Sequence, residues 1–263
     1  MLTSETLPAE GPRYAASLVC IPGLWAGPAA WRGFGSYLGH RGWECHLLDV
    51  RPVRGGIAAR GAAVAEYLAA LPGPAVLLGH DAGALVALDA ASKRPTAGLV
   101  MLAPLAPRGR TAQRLIASPR RLVSLVLGGM VAPPDGPAAA AWLDVPEPVR
   151  AQTVRGLAGE DAASVRDVAW GRVRAARPVN DPPVLVLAGD RDAYLPLDSA
   201  EALARAVGAE RQVLEGAGHW PLAGAGWQTA VAVMHRWLVQ RLGAGLLELY
   251  EEAMAEREEP SEE

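Results

Sequence analysis

Three stretches of this chain carry residue types that do nucleophilic chemistry. The first is Val76-Leu77-Leu78-Gly79-His80-Asp81-Ala82-Gly83-Ala84-Leu85-Val86-Ala87, an apolar run that ends in a Gly-x-Asp-x-Gly turn and passes into an Ala/Leu-rich run of helical character. Small residues at Gly79, Ala82 and Gly83 let the chain reverse sharply, and predict a strained middle residue, Asp81, with its side chain exposed. The second stretch is Gly189-Asp190-Arg191-Asp192-Ala193-Tyr194-Leu195-Pro196, and the third is Glu215-Gly216-Ala217-Gly218-His219-Trp220-Pro221. Each follows a short apolar run, so each starts where a parallel strand would end, the edge at which open α/β sheets bind ligands. Asp81, an acid of the Asp190/Asp192 loop and His219 are thereby expected to converge.

The chemistry turns on the aspartate. A hydroxyl nucleophile needs a base to take its proton, whereas a carboxylate is already ionised near neutral pH. It suits displacement at an sp³ carbon that bears a leaving group, which gives an alkyl-aspartyl ester; His219 would then activate water against the ester carbonyl. Two other readings of the same residues stand beside this one. Asp81 or His219 could act as a base in a lyase, isomerase or cyclase without a covalent intermediate, or the turn could have lost its nucleophile and serve a binding protein.

The elements that must position these residues follow from apolar spacing. Short buried strands are expected at Ser17–Ile21, Cys45–Val50, the run before Asp81, Gly98–Ala103, Pro183–Gly189 and Arg211–Glu215. Helical spacing occupies Ala29–His40, Ala58–Leu71, Ser199–Val207 and the closing Trp227–Leu242. Alternation of this kind predicts a mostly parallel central sheet flanked by helices. The first dozen residues, polar and Pro-containing, read as a loose lead-in.

From 105 to 180 the rhythm changes to helix-compatible pieces broken by prolines, expected to be an inserted helical lid that separates the core segments 1–104 and 181–243. Residues Leu105–Pro178 hold eleven arginines against six acidic residues in a chain whose net charge is −3; a solvated helical surface accounts for most of that excess, and a preference for anionic or acyl-acid substrates is the weaker reading. Residues 244–263 read as an acidic, solvated C-terminal tail.

Composition excludes several classes. The mild net charge gives no reason for nucleic acid or a membrane surface as partner, and no apolar run is long enough to span a bilayer. Cys20 and Cys45 sit in strand-like runs as expected free thiols of a reducing compartment, and the N-terminus reads without a secretory leader; together these predict a cytoplasmic protein. His40, His46 and His235 lack metal-ligand spacing, and Gly23 through Gly35 lacks the dinucleotide fingerprint, so no metal and no cofactor is expected. The expected partner is a small-molecule substrate, and the oligomeric state, monomer or homodimer, is left open.

Taken together and in this order, Ile21-Pro22-Gly23-Leu24-Trp25, the Asp81 turn, the Gly-Asp-Arg-Asp loop and Gly-Ala-Gly-His-Trp-Pro make the sequence resemble the α/β-hydrolase superfamily over nearly its whole length. The resemblance implies that Asp192, four residues before Pro196, orients His219, and that the backbone N–H groups of Leu24 and Ala82 form an oxyanion hole. It implies that the family's leading β-hairpin is missing or shortened. Within the superfamily an aspartate at this turn is found in dehalogenases, epoxide hydrolases and β-lactone-processing enzymes. The subclass marks are absent: Ala82 stands where dehalogenases and epoxide hydrolases carry Trp, Leu105–Pro178 holds no tyrosine, Ala84-Leu85-Val86 offers no arginine, and Pro22 replaces a first-loop histidine. The candidate pocket residues are Trp25, His80, Trp142, Trp170 and Trp220; Trp25 with Trp142 or Trp170 could bind a halide. The lid, with Glu160-Asp161 leading into an Arg/Trp-bearing helix, is closer in style to small esterases.

Overall fold

Short apolar runs, too short for helices and bounded by Gly and Pro, form the inner strands of one seven-stranded sheet, whose two edge strands are more polar. In chain order the first half comprises β1 (Thr3–Leu7), β2 (Ser17–Ile21), α1 (Arg32–Gly39), β3 (Cys45–Asp49), α2 (Ile57–Ala69), β4 (Ala75–Asp81), α3 (Ala82–Ala91) and β5 (Gly98–Pro104). An insertion follows: α4 (Pro119–Leu127), β6 (Met130–Val131), α5 (Gly136–Leu143), α6 (Val149–Arg155), β7 (Glu160–Asp161) and α7 (Ala162–Ala169). The core resumes with β8 (Val184–Gly189), α8 (Leu197–Val207), β9 (Glu210–Leu214) and α9 (Trp227–Glu258). This computed structural model describes residues 1–107, 114, 118–224 and 226–258. Arg108 and Arg110 of the basic insertion, and the acidic Glu259, Glu262 and Glu263, lie outside the described residues.

The strand order is β1-β3-β2-β4-β5-β8-β9, parallel throughout except that β1 runs antiparallel to β3. Every residue of β4, β5 and β8 is buried, as a sheet covered by helices on both faces requires. β4 lies at the centre, between β2 and β5, and brings Asp81 to the sheet's carboxyl edge.

Two expectations are corrected. The lead-in is not loose: Thr3–Leu7 pairs along β3 as an edge strand, its polar residues suiting a strand with one wet side, and Glu5 is bonded to Arg32 at 2.9 Å. The last helix does not stop at Leu242 but continues to Glu258, because Ala, Leu, Met and Glu dominate the residues beyond it and all favour helix.

Prolines organise the insertion by starting helices rather than by breaking them. Pro119 and Pro137 stand in the first turns of α4 and α5, and Pro148 precedes α6, positions where a missing N–H costs nothing. The two-residue strands β6 and β7, too short to show a period in the sequence, form an antiparallel ladder. Carboxylates then dock the insertion on the core. Asp161 Oδ2 accepts the amides of Gly55 and Gly56, each at 3.2 Å, and Asp167 Oδ2 accepts that of Ile57 at 2.9 Å. These are the unpaired donors at the start of α2, where the helix dipole also favours a negative charge.

The β4–α3 turn depends on absent side chains. A Cβ on Gly83 would collide with the carbonyl oxygens of Ile21 and Pro22, and one on Gly79 with the backbone of Gly83 and Ala84. Because the obstacles are backbone, Gly83→Ala is expected to cost at least about 2 kcal/mol. Gly226, which has open space around it, should tolerate the same change within about 0.5 kcal/mol. Urea unfolding of both variants checks this; equal midpoints would refute the close-packing account.

Candidate active site

Asp81 ends β4 with φ 55° and ψ −126°, a strained conformation for a residue with a side chain, and α3 begins immediately after it. The sequence predicted an exposed side chain here. The structure corrects that: Asp81 is fully buried, and its carboxylate lies so close to Gly23 that only a glycine fits there. Each oxygen has its own partner. Oδ2 accepts the Leu24 amide at 2.8 Å, and Oδ1 faces His219 Nε2 at 3.0 Å.

His219 lies in the loop after β9 and Asp192 in the loop after β8, and the two are joined through Nδ1 at 2.9 and 3.0 Å to the two carboxylate oxygens. Asp192 Oδ1 also accepts the amides of Tyr194 at 2.7 Å and Leu195 at 3.0 Å. The partner of His219 is therefore Asp192; Asp190, exposed, accepts the Gly216 amide instead and ties the two loops together. Of the two amides expected at an oxyanion hole, that of Leu24 reaches Asp81, while Ala82, buried, opens α3.

Electrostatics fix the charge states. Burial pulls the His219 imidazolium pKa down, but the charge and hydrogen bond of Asp192, with those of Asp81, outweigh it and push it up to about 10. Burial raises the Asp192 carboxyl, and the His219 charge with three hydrogen bonds brings it below its usual value. The His219 ring thus lies between the carboxyl groups of Asp192 and Asp81, and both favour its protonated form. Burial drives His80 down to about 4, so its neutral ring donates from Nε2 to the His219 carbonyl at 2.9 Å. Among the described residues, no group of three His, Cys, Asp or Glu side chains could hold a metal ion.

Four of the five candidate pocket residues come together around this cluster. Trp220 meets the His80 ring edge-on at 4.7 Å and Trp142 at 4.9 Å, and Trp142 meets Trp25 at 5.3 Å. Trp170 is the exception, 43% exposed with the Arg172 guanidinium 4.9 Å over its ring. Two cavities of about 340 and 330 Å³ lie between the core and the insertion, with Trp220 lining both. Trp25, His80 and Trp142 are fully buried and line neither, so they pack rather than line these spaces. Trp25 spends its indole N–H on the Val131 carbonyl at 2.9 Å.

Three contributors escaped the sequence reading. Tyr194, 3% exposed, stands 5.0 Å from the His219 ring. Glu160 and Arg60, 0% and 2% exposed, form a buried ion pair beside the Leu24 loop. Arg60 did leave a signal, because it occupies the inward stripe Ile57, Arg60, Gly61, Val64, Leu68 of α2, where an arginine needs a buried partner.

A model of the alpha/beta hydrolase family matches residues 18–232, most of the chain and all three loops of the cluster. The chain belongs to the alpha/beta hydrolase family. Similar solved structures of this fold include a monoacylglycerol lipase from Paleococcus ferrophilus, 17% identical with a TM-score of 0.71, covering 92% of this chain and 99% of that one. A thermophilic esterase from Thermogutta terrifontis is 20% identical with a TM-score of 0.63, over 92% and 94% of the two chains. MenH from S. aureus is 15% identical with a TM-score of 0.69, over 90% and 98%. No curated protein matches this alpha/beta hydrolase.

The raised His219 pKa makes stability depend on pH. A group whose pKa is higher folded than unfolded stabilises fully below its unfolded value, near 6.5, and loses that stabilisation as pH rises toward about 10. From pH 6.5 to 8.5 the unfolding free energy should therefore fall, with a slope approaching about 1.4 kcal/mol per pH unit. Denaturant titrations should show this slope in the wild type and lose it in His219→Gln; an equal slope in both would show that His219 does not carry it.

Proposed function

We propose that this alpha/beta hydrolase is a hydrolase that uses Asp81 as a nucleophile on a small organic substrate. The observation that carries the reading is the separate hold on the two Asp81 oxygens, Oδ2 by the Leu24 amide and Oδ1 by His219 Nε2. Oδ1 attacks an sp³ carbon of a halide, epoxide, lactone or activated ester; a C–O bond forms as the leaving group departs with the electron pair of its own bond. Oδ2 becomes the carbonyl oxygen of the alkyl-aspartyl ester and already lies at an amide donor. Water then attacks the ester carbonyl, His219 takes its proton, and negative charge develops on Oδ2 opposite Leu24 N–H. Collapse breaks the acyl–oxygen bond, His219 protonates the departing alkoxide, and the new Asp81 carboxyl passes its remaining proton to His219, which restores the carboxylate and the imidazolium.

Charge supports this order of events. His219 begins as an imidazolium, and alkylation of Asp81 removes one of the negative charges that hold its Nε2 proton. That proton then passes to the departing alkoxide of an epoxide, or to solvent where a halide or carboxylate leaves, and the neutral ring is free to act as a base. The esterase and lipase names of the structural neighbours support the carboxylic-ester end of the substrate range. The aspartate favours the other end, because a carboxylate that attacked an ester carbonyl would have to expel an alkoxide, a poorer leaving group than itself. The insertion serves as the lid, since Asp81 and His219 are 0% and 1% exposed and substrate reaches them only when that cover moves.

The test is the intact mass of His219→Gln incubated with haloalkanes, haloacids, epoxides, β-lactones and activated esters. The expected result is a stable mass increase that maps to Asp81 with at least one compound, and that disappears in Asp81→Asn. Turnover by the wild type without any adduct in His219→Gln would replace this reading with base catalysis. No adduct and no turnover, from folded protein, would support a binding role.

A further inference from the structure

Trp25, next to Leu24, is held by the insertion at three atoms. Its N–H donates to Glu160 Oε2 at 3.0 Å, its carbonyl accepts the Ala158 amide at 2.9 Å, and its indole N–H donates to the Val131 carbonyl at 2.9 Å. Its backbone has φ 61°, a left-handed conformation that a bulky side chain disfavours and that its surroundings must enforce. One residue earlier, the Leu24 N–H donates to Asp81 Oδ2 at 2.8 Å. Glu160 is fully buried and committed on both oxygens: beyond Trp25, Oε1 accepts its neighbour Asp161 N–H at 2.8 Å and pairs with Arg60 Nη2. Arg60 is itself anchored to the Val53 carbonyl at 3.2 Å. A buried carboxylate with its charge matched and its acceptors filled is a rigid point of attachment, and the turn it holds lies at the site.

We propose that Glu160 is a positioning residue that builds the oxyanion hole from the insertion: by binding Trp25 N–H it holds the left-handed turn that aims Leu24 N–H at Asp81, with Arg60 fixing Glu160. The hole is then complete only when the insertion is docked, so the same movement that admits substrate also dismantles the donor. The kinetic consequence of this proposal rests on the reading of Asp81 as a nucleophile; the structural consequence does not.

The experiment compares two paired variants that leave no buried charge unmatched, Arg60→Met/Glu160→Gln, which keeps an acceptor for Trp25 N–H, and Arg60→Met/Glu160→Met, which does not. The first readout is the Leu24 amide proton in spectra of [¹⁵N]leucine-labelled full-length protein, assigned by its loss in Leu24→Met. A downfield amide, bonded to a carboxylate, is expected in the wild type and the Gln pair, and an upfield shift in the Met pair; an unchanged shift in the Met pair overturns the proposal. The second readout uses whichever compound labels Asp81 in His219→Gln. With His219 intact, the Met pair should accumulate the adduct because its decay slows by about 10²-fold while adduct formation changes little, and the Gln pair should restore decay. Equal decay in wild type and Met pair overturns the proposal. If no compound labels His219→Gln, the nucleophile reading fails by itself, and the amide shift still decides whether Glu160 positions Leu24.

Discussion

A carboxylate that water cannot reach must find its partners inside the protein, or its burial costs several kcal/mol. Asp81 is in that position at the end of the central strand, and the loops around it are fixed by meeting its needs. Leu24 arrives from the end of β2, His219 from the end of β9, and His219 requires Asp192 from the end of β8. Asp192 in turn uses the amides of Tyr194 and Leu195, and His80 secures the His219 backbone from below. The parallel sheet brings these ends to one edge, but the hydrogen bonds radiating from one buried charge set them at bonding distance. The steric side of the same constraint is the backbone contact at Gly83 and Gly79, which leaves Asp81 nowhere else to go.

The insertion follows the same rule by different means. The sheet core is apolar and non-directional, and tolerates many ways of filling the same volume. The seam between insertion and core is instead drawn by three carboxylates, Glu160, Asp161 and Asp167, each accepting backbone N–H groups from the core loops at Trp25, Gly55, Gly56 and Ile57. Such bonds contribute little net stability compared with apolar packing, but they fix position and angle. An insertion that borders the Asp81 cluster gains from that property, because its bonds to the core lie one residue from the amide that faces Asp81.

Much of this was legible in the sequence because it is local. The strands Ser17–Ile21 and Gly98–Pro104, and the loops with Asp81, Asp192 and His219, are runs and turns whose signals lie within a dozen residues. What stayed hidden is either weakly patterned or distant in the chain. β1 is polar because it is an edge, so it lacks the apolar run that marks an inner strand. Trp170 has the composition of a pocket residue, but its position at the end of α7 turns it to solvent beside Arg172. Glu160 follows a loop and shows no period, and its partners Arg60 and Trp25 are 100 and 135 residues away. Only Arg60, on an apolar stripe, advertised that a buried acid must exist, and nothing in its surroundings named which one.

An aspartate at the turn changes the surroundings of His219. A hydroxyl there would leave His219 facing one carboxylate, whereas Asp81 and Asp192 together bind the proton on His219 from both sides. In the resting cluster the His219 proton is therefore held from both sides, and Asp81 is bonded at both oxygens. On the reading of Asp81 as nucleophile, the first bond formed neutralises the carboxylate nearest Nε2, and the proton loses its attraction on the side where water must be activated. Asp192 remains to orient the ring and to stabilise the imidazolium that forms when water is deprotonated. The two half-reactions then need opposite charge states of the same three side chains, and the first produces the state that the second requires. Burial makes this coupling strong, because a charge removed at 3.0 Å in a site shielded from water changes the neighbouring proton affinity far more than it would in solvent.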